Sequence, residues 1–457
     1  MGPGGEKACP CQDEFEEGNM SASQKAKTMS PGLFKVIERA RNDSNTRFTS
    51  LAHLLDADLL RNAFKRLRAK AAVGVDGVTK NAYETNLDEN LQNLLERMRS
   101  KHYRHQPIRR VHIDKAPGKT RPIGISTTED KIVQTGIRDV LEAIYEEDFL
   151  DCSYGFRPNR KAHDALRSLR KAIDQGKVNW ILEADLQNYF DSIDRMKLKE
   201  MLQTRIADTS ILRLIGKCLH VGILDGEHYE EPDIGTAQGS TLSPLLGNIF
   251  LHYTLDVWFE QEVRPRMRGK VHLWRFADDF VIGFERQEDA ARVMKVLEKR
   301  MAKFGLTLHP EKTRLIDFRQ PSRSQPRGKG KETFDFLGFT IHWTRTRAGR
   351  WVPSLRTRTA RLQRAIKAVG DFCRSHRHKP IKEQHVGLVR RLRGHFNYFA
   401  IQGNFKSLVR LTERTKRLWH KWLKRRSQRT RINWKSFADM LRDFPLPRPR
   451  ITVSLWS

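Results

Sequence analysis

Three things are scarce in this chain of 457 residues. Long apolar runs are the first: no stretch approaches the roughly eighteen residues that a membrane span needs, so no membrane partner is expected. Residues 1–30 carry Glu6, Lys7, Asp13, Glu14, Glu16 and Glu17 and lack the apolar centre of a secretory signal, which leaves a cytoplasmic location as the expectation. Cysteine is the second. Five residues, at 9, 11, 152, 218 and 373, fit a reducing compartment better than a disulfide framework. Cys9-Pro-Cys11 has the wrong spacing for a zinc knuckle and no matching second pair, so it reads as part of a disordered tail. The third is negative charge near the C-terminus. Residues 341–457 hold 30 Lys+Arg against 5 Asp+Glu, whereas 1–340 hold 55 against 49.

Most of the net charge of +31 therefore sits on the last quarter of the chain. A near-neutral body with a strongly basic appendage suggests a catalytic module joined to a polyanion-binding one. Nucleic acid is the natural partner, with binding that weakens steeply in salt. An acidic membrane surface would meet the same charge but has no anchor to support it.

Apolar spacing predicts helices over about 51–68, 87–98, 128–147, 162–173, 196–220, 241–262 and 288–304. Ile108–Ile125 reads as a strand pair broken at Ala116-Pro-Gly-Lys119, Trp180–Leu186 as a strand, and Leu273–Phe284 as a hairpin. Residues 319–333 read as a basic Pro/Gly loop. Beyond 355, three apolar stripes (from Leu362, from Leu388 and from Phe405) predict a small helical bundle with arginines and lysines outward. The fold class is α+β. The expected division is a mobile N-terminal extension over 1–50 that ends in a short helix, a catalytic body over 51–340 and a basic helical module over 341–457.

Carboxylates can meet from rigid elements at two places. One is Asp185, at the end of an apolar strand; the other is Asp278-Asp279, flanked by Arg275-Phe276-Ala277 and Phe280. Two magnesium ions doing nucleotidyl transfer need only a few such oxygen ligands, since substrate and water supply the rest. For the acid pair alone, an ordinary exposed turn is an equally good account.

Several motifs settle the choice together. Asp185-Leu-Gln-Asn-Tyr-Phe190-Asp191, Ala237-Gln238-Gly239-Ser-Thr-Leu-Ser-Pro244 and Phe276-Ala-Asp-Asp279 resemble bacterial group II intron reverse transcriptases with maturase activity. So do Lys115-Ala-Pro-Gly-Lys119-Thr-Arg121-Pro-Ile-Gly124, Ser153-Tyr-Gly-Phe-Arg157-Pro and Phe336-Leu-Gly-Phe339. They occur in order from about residue 50 onward, covering nearly the whole chain.

The resemblance implies a right-hand polymerase of fingers and palm followed by a helical thumb/maturase module. Asp185, Asp278 and Asp279 would hold two Mg2+ ions. Phe190 would close over the incoming sugar and exclude a 2′-hydroxyl, although a core phenylalanine would look the same in sequence. Arg121, Lys115 and Lys119 would meet the triphosphate of a dNTP, Gln238 and Gly239 the nascent base pair, and Lys312 the phosphates; a structural salt bridge accounts for Lys312 equally well. Phe276, Phe336, Leu337 and Gly338 would hold primer and template. The family more often has tyrosine where this chain has Phe276, so a hydroxyl near the primer is absent. Arg393, Lys421, Lys424, Arg425 and Arg426 would bind RNA, with Trp419 and Trp422 read as core. The implied partners are an RNA template, intron RNA, a DNA primer or target, and dNTPs; the expected location is a bacterial cytoplasm, with nucleoid association as the alternative. No cysteine follows Cys373, so no zinc and no HNH endonuclease domain are expected. The competing functions are a non-polymerising RNA-binding splicing factor, which leaves the three aspartates without a chemical purpose, and a free-standing reverse transcriptase of repair or phage defence. An RNA-copying RNA polymerase is disfavoured by Phe190.

Overall fold

In the computed structural model the described residues are 30–116, 119–226, 228–230, 234–236, 239–322, 332–427 and 432–455, with backbone only at 114–116, 119 and 121. Eleven strands are described, and they form three sheets. In chain order they are β1 (Ile108–Ala116), β2 (Lys119–Ile125), β3 (Trp180–Asp185), β4 (Ile223–Asp225), β5 (His228–Glu230), β6 (Val271–Phe276), β7 (Asp279–Phe284), β8 (Arg314–Asp317), β9 (Phe334–Phe336), β10 (Phe339–Arg345) and β11 (Trp351–Thr357). The sheet orders are β2-β1-β4-β5, β6-β7-β3-β8 and β11-β10-β9. Helices make up most of the remainder, so the α+β expectation holds.

The sheet β6-β7-β3-β8 divides two apolar cores, and alternation along its strands does the dividing. Phe280, Ile282 and Phe284 of β7, with Leu182 and Ala184 of β3, join the larger core built with the helices Thr128–Asp148, Ser243–Leu251 and Gln287–Lys303. Val281 and Ile181 point the other way, into a core shared with the helix Ala162–Asp174 and with β9, β10 and β11. Each such Phe or Ile contributes about 1.5–3 kcal/mol by leaving water. Burial on both faces leaves the strand ends as the places where polar side chains can gather.

Several elements differ from the sequence expectation, but the short helix expected at the end of the 1–50 extension is present as Pro31–Asn42. Ser30 caps it, Pro31 occupies its first turn, and Leu33, Val36 and Ala40 bury one face. The single helix expected over 196–220 is two, Arg195–Arg205 and Thr209–Leu219. Asp208 makes the break. Its carboxylate accepts from Ser210 and Ile211 and reaches back to the amides of Leu51 and Ala52 at 2.6 and 2.8 Å. Burial would raise its pKa, but these backbone donors together hold it below the usual carboxylate value. The helix expected over 241–262 starts as Ser243–Leu251 and then widens into π turns at His252–Asp256 and Phe259–Val263. The boundary drawn at 340/341 falls within β10.

The C-terminal stripes form the helices Thr359–Ser375, Ile381–Phe399 and Phe405–Lys424, joined by a further helix, Trp434–Asp443. Trp434 of that helix stacks on His420 at 4.0 Å, and Phe437 is buried. Trp419 is fully buried and donates its indole N–H to Gln384 at 3.0 Å, in keeping with a core role. Trp422 is half-buried beneath Arg374, Lys421 and Arg425. Among the described residues no helix is long and apolar enough to cross a membrane.

Candidate active site

Register brings the aspartates together. β3 and β7 pair antiparallel with Asp185 opposite Asp279, which sets their Cα atoms about 4.5–5.5 Å apart with both side chains on one face. β6 pairs with β7 so that Phe276 faces Asp279, leaving Ala277 and Asp278 as a two-residue hairpin turn. Ala277 has φ +55°, a left-handed conformation that such turns usually assign to glycine or asparagine. Holding it there costs about 1–3 kcal/mol, so neighbouring groups must enforce it.

Arg275 does much of the enforcing. Its guanidinium is fully buried and donates to Asp256 at 2.8 and 2.5 Å, to Asn248 Oδ1 at 2.9 Å and to Ser153 Oγ at 2.7 Å. It also donates to the carbonyl of Ala277 at 3.2 Å, tying the turn to the body. Cys152 and Tyr154 flank this arrangement with backbone bonds to Arg275, both at 2.8 Å. Gly155 then lies against the turn. A Cβ on it would sit 2.4 Å from the amide nitrogen of Ala277, so only glycine fits. The segment Ser153–Arg157 is thus a buttress for the acid pair. Asn248 completes it with a 2.6 Å bond to the Gly155 carbonyl.

The electrostatics fit a cation site. Burial pushes the Asp279 carboxyl up to about 7, and the charges of Asp278 and Asp185 add to the effect; the backbone N–H of Leu337 partly offsets it. Like charges gathered at the sheet end favour either a proton or a positive partner. Lys312 supplies one positive partner through an ion pair with Asp185. Among the described residues, no three His, Cys, Asp or Glu side chains converge into a closed metal-ligating group. The donors are nevertheless carboxylate oxygens, the kind Mg2+ takes while keeping waters and substrate as its other ligands. On that ground they suit Mg2+ when substrate completes the shell.

Other expected site residues fall in varied places. Phe190 is half-buried, its ring 5.2 Å from Tyr189, and a Cβ on Gly247 would lie 3.1 Å from it. Gly239 has φ +103°, and its close neighbour is the carbonyl of Gly124 in β2, 2.4 Å from where a Cβ would be. Gln238 and the side chains of Lys115, Lys119 and Arg121 lie outside the described residues. Phe276 is half-buried, its ring 6.1 Å from that of Phe156. Phe336 is buried, and Leu337 and Gly338 form the turn between β9 and β10. Arg393, Lys421, Lys424 and Arg425 are exposed on the C-terminal helices, whereas Arg426 is half-buried and donates to the carbonyl of His378 at 3.2 Å. The structure therefore gathers Asp185, Asp278, Asp279, Lys312 and Leu337 at one point; the basic C-terminal residues belong to another surface.

Arg275, Asp256 and Asn248 were not singled out by the sequence, and a signal existed. An arginine inside an apolar strand needs a buried acceptor, and Asp256 is the single carboxylate between Leu242 and Phe259. Tyr398 had no comparable signal. Its hydroxyl donates to the Leu337 carbonyl at 2.8 Å, a contact that only the fold creates.

Residues 113–341 match the family described as Reverse transcriptase (RNA-dependent DNA polymerase). The Group II intron-encoded protein LtrA of Lactococcus lactis subsp. cremoris is 34% identical over 222 residues, covering 48% of this chain and 37% of LtrA. Protein YkfC of Escherichia coli K12 is 32% identical over 293 residues, covering 56% of this chain and 77% of YkfC. A 91 kDa protein in the cob intron of Schizosaccharomyces pombe is 34% identical over 246 residues, covering 53% of this chain and 30% of its own length. The chain thus spans little more than a third of LtrA and less than a third of the fission-yeast protein.

Proposed function

The chain belongs to the reverse transcriptase family, and we propose that it is an RNA-directed DNA polymerase that also binds group II intron RNA to assist splicing and mobility. One observation carries the reading. Two acids from distant parts of the chain are direct cross-strand partners, and the third occupies the adjoining turn. In this reading the sheet β6-β7-β3-β8 is the palm of a right hand, β1 and β2 belong to the fingers, and the helices after β11 form the thumb and RNA-binding module.

Asp185, Asp278 and Asp279 would hold Mg2+. Two such ions supply activation of the primer 3′-hydroxyl and a grip on the triphosphate. The chain's own residues do the remaining work. Lys312 exchanges its ion pair with Asp185 for the phosphates once substrate is present, offering positive charge beside the leaving group. Phe190 presents a ring braced by Tyr189 and Gly247 to the sugar, so that a 2′-hydroxyl is excluded. Phe276, Leu337 and Gly338 lie toward the primer terminus, whereas Phe336 is packed in the core beneath the turn and supports it from below. Arg121, Lys115, Lys119 and Gln238 are assigned to dNTP contact on the resemblance alone. The exposed Arg393, Lys421, Lys424 and Arg425, with Arg426, neutralise RNA phosphates.

Primer extension on an RNA template with Mg2+ and dNTPs is the test. Wild type should extend and Asp278→Asn should lose activity by several orders of magnitude while still binding RNA. Phe190→Ala should admit ribonucleotides with Asp185 intact. Equal extension by wild type and Asp278→Asn refutes the polymerase reading and leaves a cationic RNA binder.

A further inference from the structure

The turn between β9 and β10 is as strained as the one that carries Asp278. Leu337 has φ +51° and Gly338 φ +79°, the left-handed pair of a type I′ hairpin. Its first position normally takes asparagine, aspartate or glycine. A leucine persists there only when its surroundings over-determine the backbone. Two contacts do so. The backbone N–H of Leu337 faces the Asp279 carboxylate closely enough to favour its charged form. Its carbonyl accepts the hydroxyl of Tyr398 at 2.8 Å.

Tyr398 does not come from the acid-bearing sheet. It lies on the helix Ile381–Phe399, near that helix's C-terminal end. The position is fixed from several sides. His163 Nε2, on the helix Ala162–Asp174, donates to the Tyr398 carbonyl at 2.8 Å. The Tyr398 ring lies 5.3 Å from that of His163 and 5.6 Å from Phe339. Burial and the charge of Asp279 hold the phenol well above its ordinary pKa, so it stays a donor.

We propose that Tyr398 is a positioning residue for Asp279: through the Leu337 turn, the C-terminal helical module sets the orientation of an acid in the metal-binding cluster. The inference rests on the carboxylates being that cluster. One residue receives a hydrogen bond from the helix and turns its backbone N–H toward the acid. A shift of the helix therefore changes the direction of the Leu337 N–H, and with it the Asp279 carboxylate. Because the same helical module carries the basic surface, nucleic acid seated on it would be sensed at the acids.

The test uses Tyr398→Phe in the full chain, which keeps the ring and removes only the hydroxyl. Mn2+ alone is titrated and the free ion followed by electron paramagnetic resonance; the Mg2+ midpoint for primer extension is measured in parallel. Loss of one hydrogen bond in the chain should weaken Mn2+ binding about 5-fold and raise the Mg2+ midpoint by a similar factor. The KM for dNTP at saturating Mg2+ should move less than about twofold, since only the metal step is altered. Tyr253→Phe serves as the control, because its hydroxyl meets Thr204 Oγ1 at 2.7 Å, away from the acids. It should leave Mn2+ affinity unchanged. Both variants are repeated on a Gly216→Ala background, where alanine enters an open helical position and adds stability, so a folding defect cannot imitate the effect. Wild-type Mn2+ affinity in Tyr398→Phe overturns the positioning role, even if thermal stability falls. A wild type that binds no Mn2+ and extends no primer overturns the polymerase reading with it.

Discussion

Gly155→Ala isolates the buttress from the chemistry it supports. The added Cβ would lie 2.4 Å from Ala277 N and 2.9 Å from Phe276 C. Ordinary contact begins near 3.4 Å, so the backbone of the acid-bearing turn must withdraw by about 1 Å or Gly155 must move as far. Neither side yields easily. Gly155 is held by Asn248 at 2.6 Å and the turn by Arg275 at 3.2 Å. Overpacking of this kind costs about 1–3 kcal/mol of stability. The larger effect should fall on catalysis, because displacing reacting groups by about 1 Å can cost about 100-fold in rate. The assay is single-nucleotide primer extension, with RNA binding and thermal unfolding measured on the same samples. Expected are a kcat lowered about 100-fold, unchanged RNA affinity and a melting temperature only a few degrees lower. Gly216→Ala, with open space around its Cβ, should leave kcat alone. If Gly155→Ala retains kcat within twofold, the close approach is not what orders the acids, and the account of Ser153–Arg157 as a buttress is wrong.

Three further outcomes are expected. Arg275→Met should abolish soluble expression or cost about 3–5 kcal/mol in denaturant unfolding, since it strands Asp256 without its buried partner; a loss below about 1 kcal/mol would contradict the keystone role. Acid should destabilise the fold through His252 and His395, both buried and both held down to about 4, chiefly by desolvation. The unfolded chain binds more protons than the native one between about 4 and 6.5, so this stability is complete above about 6.5 and is lost as pH falls through about 4. Each residue contributes on the order of 3 kcal/mol across that window, and His395→Gln should shrink the acid-side drop in unfolding free energy relative to wild type. Asp148, raised to about 6, acts in the opposite sense, so the comparison between variant and wild type is what decides; an identical drop in both rejects the assignment to His395. Finally, replacing Lys421, Lys424 and Arg425 together by alanine should flatten the salt dependence of single-stranded RNA binding by about 2 in the log–log slope. An unchanged slope in filter binding moves the RNA surface elsewhere.

Much of the α+β pattern was legible in residue order because local physics decides it. Apolar runs on both sides of an acid pair marked the β6–β7 hairpin and its turn, and helical spacing marked Thr128–Asp148 and Gln287–Lys303. The errors lie where a long-range partner overrides local spacing. Asp208 splits the expected helix by capping the start of Thr209–Leu219 while it also accepts from amides more than 150 positions away, at Leu51 and Ala52. Asp256 lies in a π segment that no apolar period reveals. The three acids could be named from sequence, yet their registration could not. Asp185 opposite Asp279 follows from strand pairing over about 90 intervening residues, and a slip of one position would turn one carboxylate to the other face of the sheet.

Strain supplies the link between this architecture and its chemistry. The two hairpin tips that meet at the acids both begin with a non-glycine residue in the left-handed region, Ala277 at +55° and Leu337 at +51°. Left alone, each would relax, since the cost of about 1–3 kcal/mol per residue finds no return within the turn. Each is instead tied down by one side chain from outside it: Arg275 to the Ala277 carbonyl, Tyr398 to the Leu337 carbonyl. Arg275 is itself anchored by Asp256, Asn248 and Ser153, and it answers to the interior of the acid-bearing body. Tyr398 answers to a helix of the basic module. The acids are thus held between a fixed tip and one whose anchor belongs to the element expected to carry nucleic acid, and this asymmetry lets a polyanion influence the site without touching an aspartate.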